Sequence, residues 1–179
     1  LGVSKIPLRE ALARLEQEGL LTSHANRGYA VRAMSAEEAD EIFALRLAIE
    51  PTAASAGALA AEDEDRATVE RLFEELDAAT LEGGADVAER NRRFHTALVR
   101  PGGRLLTTQL VERLAILSER YVIAHLQPAG RESRAHQEHR GLLDAWLARD
   151  GDLTAKLLGG HIQGTRDDLR EQLAAERQG

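Results

Sequence analysis

Residues 1–33 read LGVSKIPLREALARLEQEGLLTSHANRGYAVRA and predict a short helix followed by a β-hairpin. Pro7 suits the first turn of a helix, because the N–H that proline lacks would have no partner there. Leucines recur at roughly helical spacing, at Leu8, Leu12, Leu15 and then Leu20. Gly19 is suited to end the helix. Two short extended runs then flank the turn 25–28, which is typical of a hairpin. A helix followed by a hairpin is the second half of a winged helix-turn-helix, whose helix lies in the major groove of DNA.

The candidates for contact with DNA lie at the start of this helix and at the hairpin tip. Ser4 can cap the helix or bond a phosphate. Lys5 and Arg9 have the reach and the donors for guanine or phosphate, and Ile6 lies between them. Arg27 would sit where a wing meets the DNA backbone or minor groove. The alternative is a capped surface helix whose charges are solvated.

Charge is unevenly distributed along the 179 residues. Residues 1–33 carry a net charge of +2 and the rest −9, within a total of −7. A basic N-terminal segment followed by an acidic remainder suggests two parts with different functions. No stretch approaches the roughly 18 apolar residues of a membrane span, so we expect a soluble cytoplasmic protein. The chain begins with Leu1 rather than Met, which suggests that it is truncated.

From Ser35 onward the sequence predicts a bundle of helices. Ser35 and Glu38 form a capping-box pattern, and Pro51 is expected to kink or restart the helix that follows. Apolar residues then recur in the helical pattern over 63–82, 86–100, 104–126, 132–149 and 152–177. The predicted fold is therefore mainly α. A partial winged helix-turn-helix occupies residues 1–34, and an antiparallel bundle of about six helices occupies residues 35–179.

Three of the six histidines fall on apolar helix faces, namely His95, His139 and His161. A single histidine of this kind is usually a hydrogen-bonded core residue, and that remains the alternative reading. The chain has no cysteine, so a metal would need imidazole, carboxylate or neutral oxygen ligands. Three imidazoles plus an oxygen donor would suit Zn, Ni, Fe or Mn, with positions left open for water or a ligand. His136 shares a side of its helix with His139 and competes for the role.

The first 28 residues resemble the winged-helix signature of GntR-family repressors. The likeness is carried by LGVSKIPLREAL, then by RLEQEGLL over residues 14–21, and by the tip Asn26-Arg27-Gly28. The resemblance implies that Ser4, Lys5, Ile6 and Arg9 read the operator and that Gly28 lies in the wing. Lys5 stands where Arg is usual and so lacks the bidentate fork, and Ile6 stands where Thr is usual. The first helix of the family's DNA-binding domain, and most of its second helix, are absent from this chain.

The chain from about Ser35 onward resembles the helical sensor domain, called FCD, of the FadR branch of GntR regulators. Residues 46–51 are similar to its RxxIEP motif, residues 91–95 to (D/N)xxFH, and residues 138–161 to EHxxIxxAxxxxD…H. The resemblance implies four ligands for a divalent transition metal, Asn91, His95, His139 and His161. Many members have Asp where this chain has Asn91. The resemblance also implies a homodimer.

Open positions on such a metal suggest a small carboxylate effector. Arg46 could help to neutralise its charge, or could form a structural ion pair; Arg92 and Ser133 are weaker candidates. Effector binding would shift the sensor between two arrangements and modulate operator binding. We therefore expect a DNA-binding repressor rather than an enzyme. The alternatives are a metal-dependent enzyme built on a helical bundle, although no aligned base is visible, and a plain helical interaction module.

Overall fold

The computed structural model describes residues 5–24, 27–82, 86–126 and 131–176, and it divides the chain into two compact units. The first unit ends at Ser35 and the second begins at Ala36. The predicted boundary falls one residue earlier. The first unit contains the helix α1 (Lys5–Gln17) and the strands β1 (Leu21–His24) and β2 (Gly28–Val31).

Gly19 ends α1 in a conformation that favours glycine. Its φ angle is +73°, and the backbone N–H groups of Gly19 and Leu20 turn back to the carbonyls of Glu16 and Leu15 at 2.9 and 3.0 Å. This pair of bonds is the Schellman motif, which satisfies carbonyls that the helix end would leave unpaired. The chain then enters an antiparallel hairpin in which Leu21 lies opposite Val31. The predicted helix and hairpin are confirmed.

The second unit is a bundle of helices. They are α2 (Ala36–Ala60), α3 (Asp63–Glu82), α4 (Val87–Val99), α5 (Leu105–Leu126), α6 (Arg131–Leu147) and α7 (Gly151–Glu176), with a 3-10 turn over Arg100–Gly102. The predicted fold class, a partial winged helix-turn-helix followed by a helical bundle, is confirmed. For α3 to α7 the predicted ranges match the ends of the helices to within about two residues.

Pro51 lies inside α2, which is one continuous helix. The expectation that Pro51 restarts the helix is therefore wrong. Proline removes one N–H from the helix ladder, but α2 buries apolar residues on both sides of it: Ile42 and Phe43 before, Ala54 and Ala58 after. Packing on both sides outweighs the lost hydrogen bond.

Helix α2 is also the one described helix whose length and apolar composition would allow it to cross a membrane. The sequence analysis, which expected no stretch of about 18 apolar residues, did not single out this helix. The same helix carries a buried pair of charged residues, Arg46 and Glu50. Its buried apolar residues belong to the hydrophobic core of the bundle, which is the usual position of such a helix in a packed domain.

The core brings α2, α4 and α6 into close contact around Leu98. The indole Nε1–H of buried Trp146 donates to the carbonyl oxygen of Leu98 at 3.0 Å. On the other side, a Cβ atom at Gly57 would lie only 2.0 Å from that same oxygen. Only hydrogen fits there, so Gly57 allows the backbones of α2 and α4 to touch. This contact fixes the position of α4, which carries His95 one turn before Leu98.

Candidate metal and ligand site

Three helices each contribute one histidine to a single cluster. His95 comes from α4, His139 from α6 and His161 from α7, and one ligand nitrogen of each lies within 4.8 Å of the other two. The Nε2 atoms of His95 and His139 are 3.1 Å apart. The ring centroids are separated by 4.6 to 5.2 Å. His95 and His139 are buried, and His161 is partly buried. The structure thus brings together the three histidines that were predicted from their helix faces.

A cavity opens beside this cluster. It is lined by residues from five helices, namely Arg46, Phe73, Leu76, Asp77, Thr80, Val87, Asn91, Ala135, His136, His139, His161, Ile162 and Thr165. Asn91 lies four residues before His95 in α4, so both belong to the same helix face. The structure therefore places Asn91, the predicted fourth ligand, on the wall of the cavity that His139 and His161 also line.

Burial disfavours the protonated form of His95 and His139. Burial, with the neighbouring His139, His161 and Arg46, sets the pKa of His95 well below its usual value. Burial, with His161 and His136, does the same to the pKa of His139. Neutral imidazole is the form that binds a metal. The Nδ1 atom of His95 is also buried without a hydrogen-bond partner among the described residues. An all-imidazole cluster with an amide oxygen nearby fits a borderline divalent transition metal.

His161 contacts a carboxylate to which the sequence analysis assigned no role. Its Nδ1 lies 2.8 Å from Oε2 of Glu138 on α6. Glu138 is adjacent to His139 in α6, and adjacent positions of a helix point in different directions. The side chain of Glu138 contacts His161 of α7, which is a different candidate ligand. The order of helices around the site, which no local pattern gives, would have been needed to find it.

Arg46 is buried at the cavity wall and is already engaged. Its Nε and Nη2 donate to the two carboxylate oxygens of Glu50 at 2.7 and 3.1 Å, and its Nη1 donates to Ser118 Oγ at 3.2 Å. Three of the five N–H groups of the guanidinium are used in this way. Arg46 therefore forms the ion pair that was one of its two predicted roles, and it remains next to the histidines.

The other two predicted effector contacts lie elsewhere or outside the description. Arg92 donates to Glu119 at 2.8 Å and lines a second cavity, between α3, α4 and α5, that does not include the histidine cluster. Ser133 is a residue of α6 whose side chain lies outside the described part of the structure.

The cavity has a second carboxylate–imidazole pair that sequence reasoning missed. His136 contacts Asp77 through Nδ1, and both residues line the cavity. The ring of His136 also lies 6.2 Å from that of Phe73. His136 is thus near the metal candidates but is paired across the cavity with α3 and is not a member of the cluster of three.

The predicted DNA contacts lie in the first unit. Ile6 is 69% exposed and Arg9 is exposed on α1, and Arg27 is exposed beside Gly28, whose φ angle of +84° favours glycine. Lys5 is the first residue of α1, and its side chain is outside the description. Ser4 lies outside the described residues. Exposed charge at a helix start and a hairpin tip is compatible with binding to a phosphate backbone.

Two family models match the chain. The FCD domain matches residues 41–164, and the model described as bacterial regulatory proteins, gntR family, matches residues 1–31. The HTH-type transcriptional repressor GlaR of Escherichia coli (strain K12) is 34% identical over 171 residues, covering 90% of this chain and 77% of that protein. The Nta operon transcriptional regulator of Aminobacter aminovorans is 29% identical over 171 residues, covering 96% and 80%.

Solved structures show the same fold. E. coli McbR/YncC has a TM-score of 0.80 at 24% sequence identity, covering 96% of this chain and 87% of that chain. The GntR protein from Rhodococcus sp. RHA1 has a TM-score of 0.74 at 20% identity, covering 97% of this chain and 81% of that chain. At these identities the likeness concerns the fold alone.

Proposed function

The chain belongs to the GntR family of bacterial transcriptional regulators, in the group that carries an FCD domain, and we propose that it is a repressor controlled by a metal and a small carboxylate. Regulators of this family bind operator DNA, and the family and its relatives are transcriptional regulators rather than enzymes. The reading of the helical unit as a metal-dependent enzyme is therefore set aside. One relative, GlaR, is named a repressor, which supports the direction of control that we propose.

The observation that carries the metal proposal is the cluster of three histidines from three helices. His95, His139 and His161 would hold a divalent transition metal (Zn, Ni, Mn or Fe), and Asn91 would be the fourth ligand. When bound, the metal supplies electrophilic positions that an oxygen of a small ligand can occupy. A neutral amide donates less charge than a carboxylate, so we expect weaker binding than an aspartate at position 91 would give.

The effector would bind in the cavity beside this cluster. Arg46 lends positive charge at the wall, held in place by Glu50 and Ser118, and apolar side chains such as Phe73 and Ile162 line the remainder. A small carboxylate combines the negative charge and the apolar body that this lining favours. The effector changes DNA binding only if it binds two arrangements of the sensor with different affinities. Arg92, on the second cavity, and Ser133 remain weaker candidates for contact.

The first unit would bind the operator DNA. Ser4, Lys5, Ile6 and Arg9 would face the operator from the start of α1, with Arg27 and Gly28 in the wing. We propose that the active form is a homodimer, because paired readers match operators with two half-sites. We also propose that the protein works in the cytoplasm, where operator DNA lies.

Elemental mass spectrometry of the purified protein tests the metal proposal. The wild type should carry close to one transition metal per chain, and His139→Ala should lose it. His136→Ala is the matched control, because His136 lines the same cavity but is paired with Asp77; it should keep its metal. A wild type that takes up no metal after soaking in Zn, Ni or Mn would make the cluster a set of core histidines and would refute this part of the proposal.

Operator binding tests the other end. In an operator-binding assay, Arg9→Ala should weaken binding by about 1–3 kcal/mol if Arg9 contacts a base edge. Arg14→Ala is the control, since Arg14 is paired with Glu18 along α1 at 3.2 Å. Equal loss in both variants at matched salt would show only a general electrostatic contribution.

A further inference from the structure

The hydrogen bond between Glu138 and His161 decides which nitrogen of His161 can bind a metal. Oε2 of Glu138 lies 2.8 Å from Nδ1 of His161. An ionised carboxylate can only accept a hydrogen bond, so Nδ1 must carry the proton. Neutral imidazole has one proton, and Nε2 is therefore left with the lone pair. The bond thus selects the tautomer in which Nε2 is the donor atom.

Each carboxylate oxygen of Glu138 has a partner, Oε2 with His161 and Oε1 with Arg134. Its Oε1 lies 3.4 Å from Nε of Arg134, one turn earlier in α6. Arg134 in turn contacts the carboxylate of Asp168 on α7. Two residues of α6, Arg134 and Glu138, thus connect two residues of α7, Asp168 and His161. These contacts favour one orientation of the Glu138 side chain and, through the 2.8 Å contact, one orientation of the His161 ring.

From this geometry we propose that Glu138 is a positioning residue for the metal site. It acts through His161, by fixing the tautomer and the orientation of the ring and by making Nε2 a stronger donor. This inference rests on the proposed function, because it concerns the site at which the metal would bind. Loss of an outer carboxylate of this kind typically weakens metal affinity by about 10- to 100-fold.

Metal titration of the purified chain by calorimetry, with Zn²⁺ as the probe, tests the role of Glu138. Glu138→Ala should raise the Kd by about 10- to 100-fold while the stoichiometry stays at one. Glu138→Gln, which keeps an acceptor oxygen but not the charge, should fall between Ala and wild type. Glu70→Ala, a change at an exposed glutamate of α3 away from the cavity, is the control and should bind as the wild type does.

Long-range ¹H–¹⁵N spectra of the metal-free protein supply a second readout that a loss of stability would not imitate. His161 of the wild type should carry its proton on Nδ1, and Glu138→Ala should shift the ring towards the Nε2–H tautomer.

The outcomes separate the two proposals. A wild type that binds no Zn²⁺ overturns the metal site, and with it the role of Glu138. A wild type that binds, with unchanged Kd and unchanged His161 tautomer in Glu138→Ala, overturns only the role of Glu138.

Discussion

The two units of the chain differ in how far their side chains are buried. Among the described residues of the first unit none is buried, and Ile6 and Leu8 on α1 are 69% and 52% exposed. The second unit encloses Phe94 and Trp146 almost completely. The same helical spacing of apolar residues predicted the helices of both units. That spacing shows which face of a helix is apolar, but not whether another element covers it.

The difference also separates two kinds of chemistry. Exposed charges in the first unit remain ionised in water and suit a charged, extended partner such as DNA. The second unit holds imidazoles away from water, where the neutral form is favoured and a metal can be bound. If this comparison is correct, changes in the two units should differ greatly in their effect on stability.

The largest expected effect is at Gly57 in the second unit. Gly57→Ala places a Cβ 2.0 Å from the carbonyl oxygen of Leu98, which is fixed backbone. We expect a loss of about 3 kcal/mol in the free energy of unfolding, at the upper end of the usual cost of overpacking, measured by urea denaturation.

Gly164→Ala is the matched control for that change. Nothing lies within 4 Å of a Cβ at Gly164, which is in the middle of α7. Alanine should stabilise the helix there by about 0.5–1 kcal/mol. A small effect at Gly57 would mean that α2 and α4 can move apart, and that their contact does not fix the position of α4.

The next effect is the stabilisation of the second unit by metal. At a free Zn²⁺ concentration of about 100 times Kd, binding should stabilise the folded protein by roughly 2.7 kcal/mol. Scanning calorimetry should therefore show a higher Tm with Zn²⁺ than with chelator. The increase should be absent in His139→Ala and present in His24→Ala, a change in the exposed hairpin. An equal increase in both variants would place metal binding outside the cluster.

A smaller effect, for each histidine and each pH unit, is the pH dependence of the metal-free protein. Burial lowers the pKa of His95 and His139 below the usual value of 6.5. At pH values between the lowered pKa and 6.5, the unfolded chain therefore binds more protons than the folded one. The free energy of unfolding should fall as the pH is lowered from about 7 towards 5, and above the unfolded pKa these two groups should cause no pH dependence. Each could contribute a slope of at most about 1.4 kcal/mol per pH unit.

Urea denaturation across this pH range, in chelator, measures the slope. Replacing His139 with Gln should flatten it relative to the wild type, whereas replacing His24 should leave it unchanged. A slope that is the same in all three proteins would mean that the histidines of the second unit titrate as they do in water.

The smallest effect is expected in the first unit. Leu8 is half-exposed on α1, so Leu8→Ala should change the free energy of unfolding of this chain by no more than about 0.5 kcal/mol. The same denaturation curves measure it. A loss of 2 kcal/mol or more would show that the apolar face of α1 is covered, and that the contrast between the units is smaller than their exposures indicate.

The sequence predicted most of the fold and the histidines, but not the contacts between neighbouring helices. His95, His139 and His161 could be selected because each lies on an apolar face, and apolar faces of a bundle meet. The partners Glu138 and Asp77 could not, because a polar residue at the edge of a face can turn to either neighbour. Pro51 misled for a similar reason: its local effect is to break a helix, and only the packing on both sides of it preserves α2.

The buried pair of Arg46 and Glu50 has a consequence for how this protein can evolve. Both side chains are nearly inaccessible, at 5% and 1% exposure, so removing either partner would leave an unpaired charge in the core, at a cost of about 3–5 kcal/mol. Replacing both with apolar residues of similar size could be neutral or even stabilising. The two positions are therefore epistatic. A lineage that starts from this sequence can exchange the pair only by passing through a poorly folded intermediate or by a double change, and it would then lose the positive charge at the cavity wall.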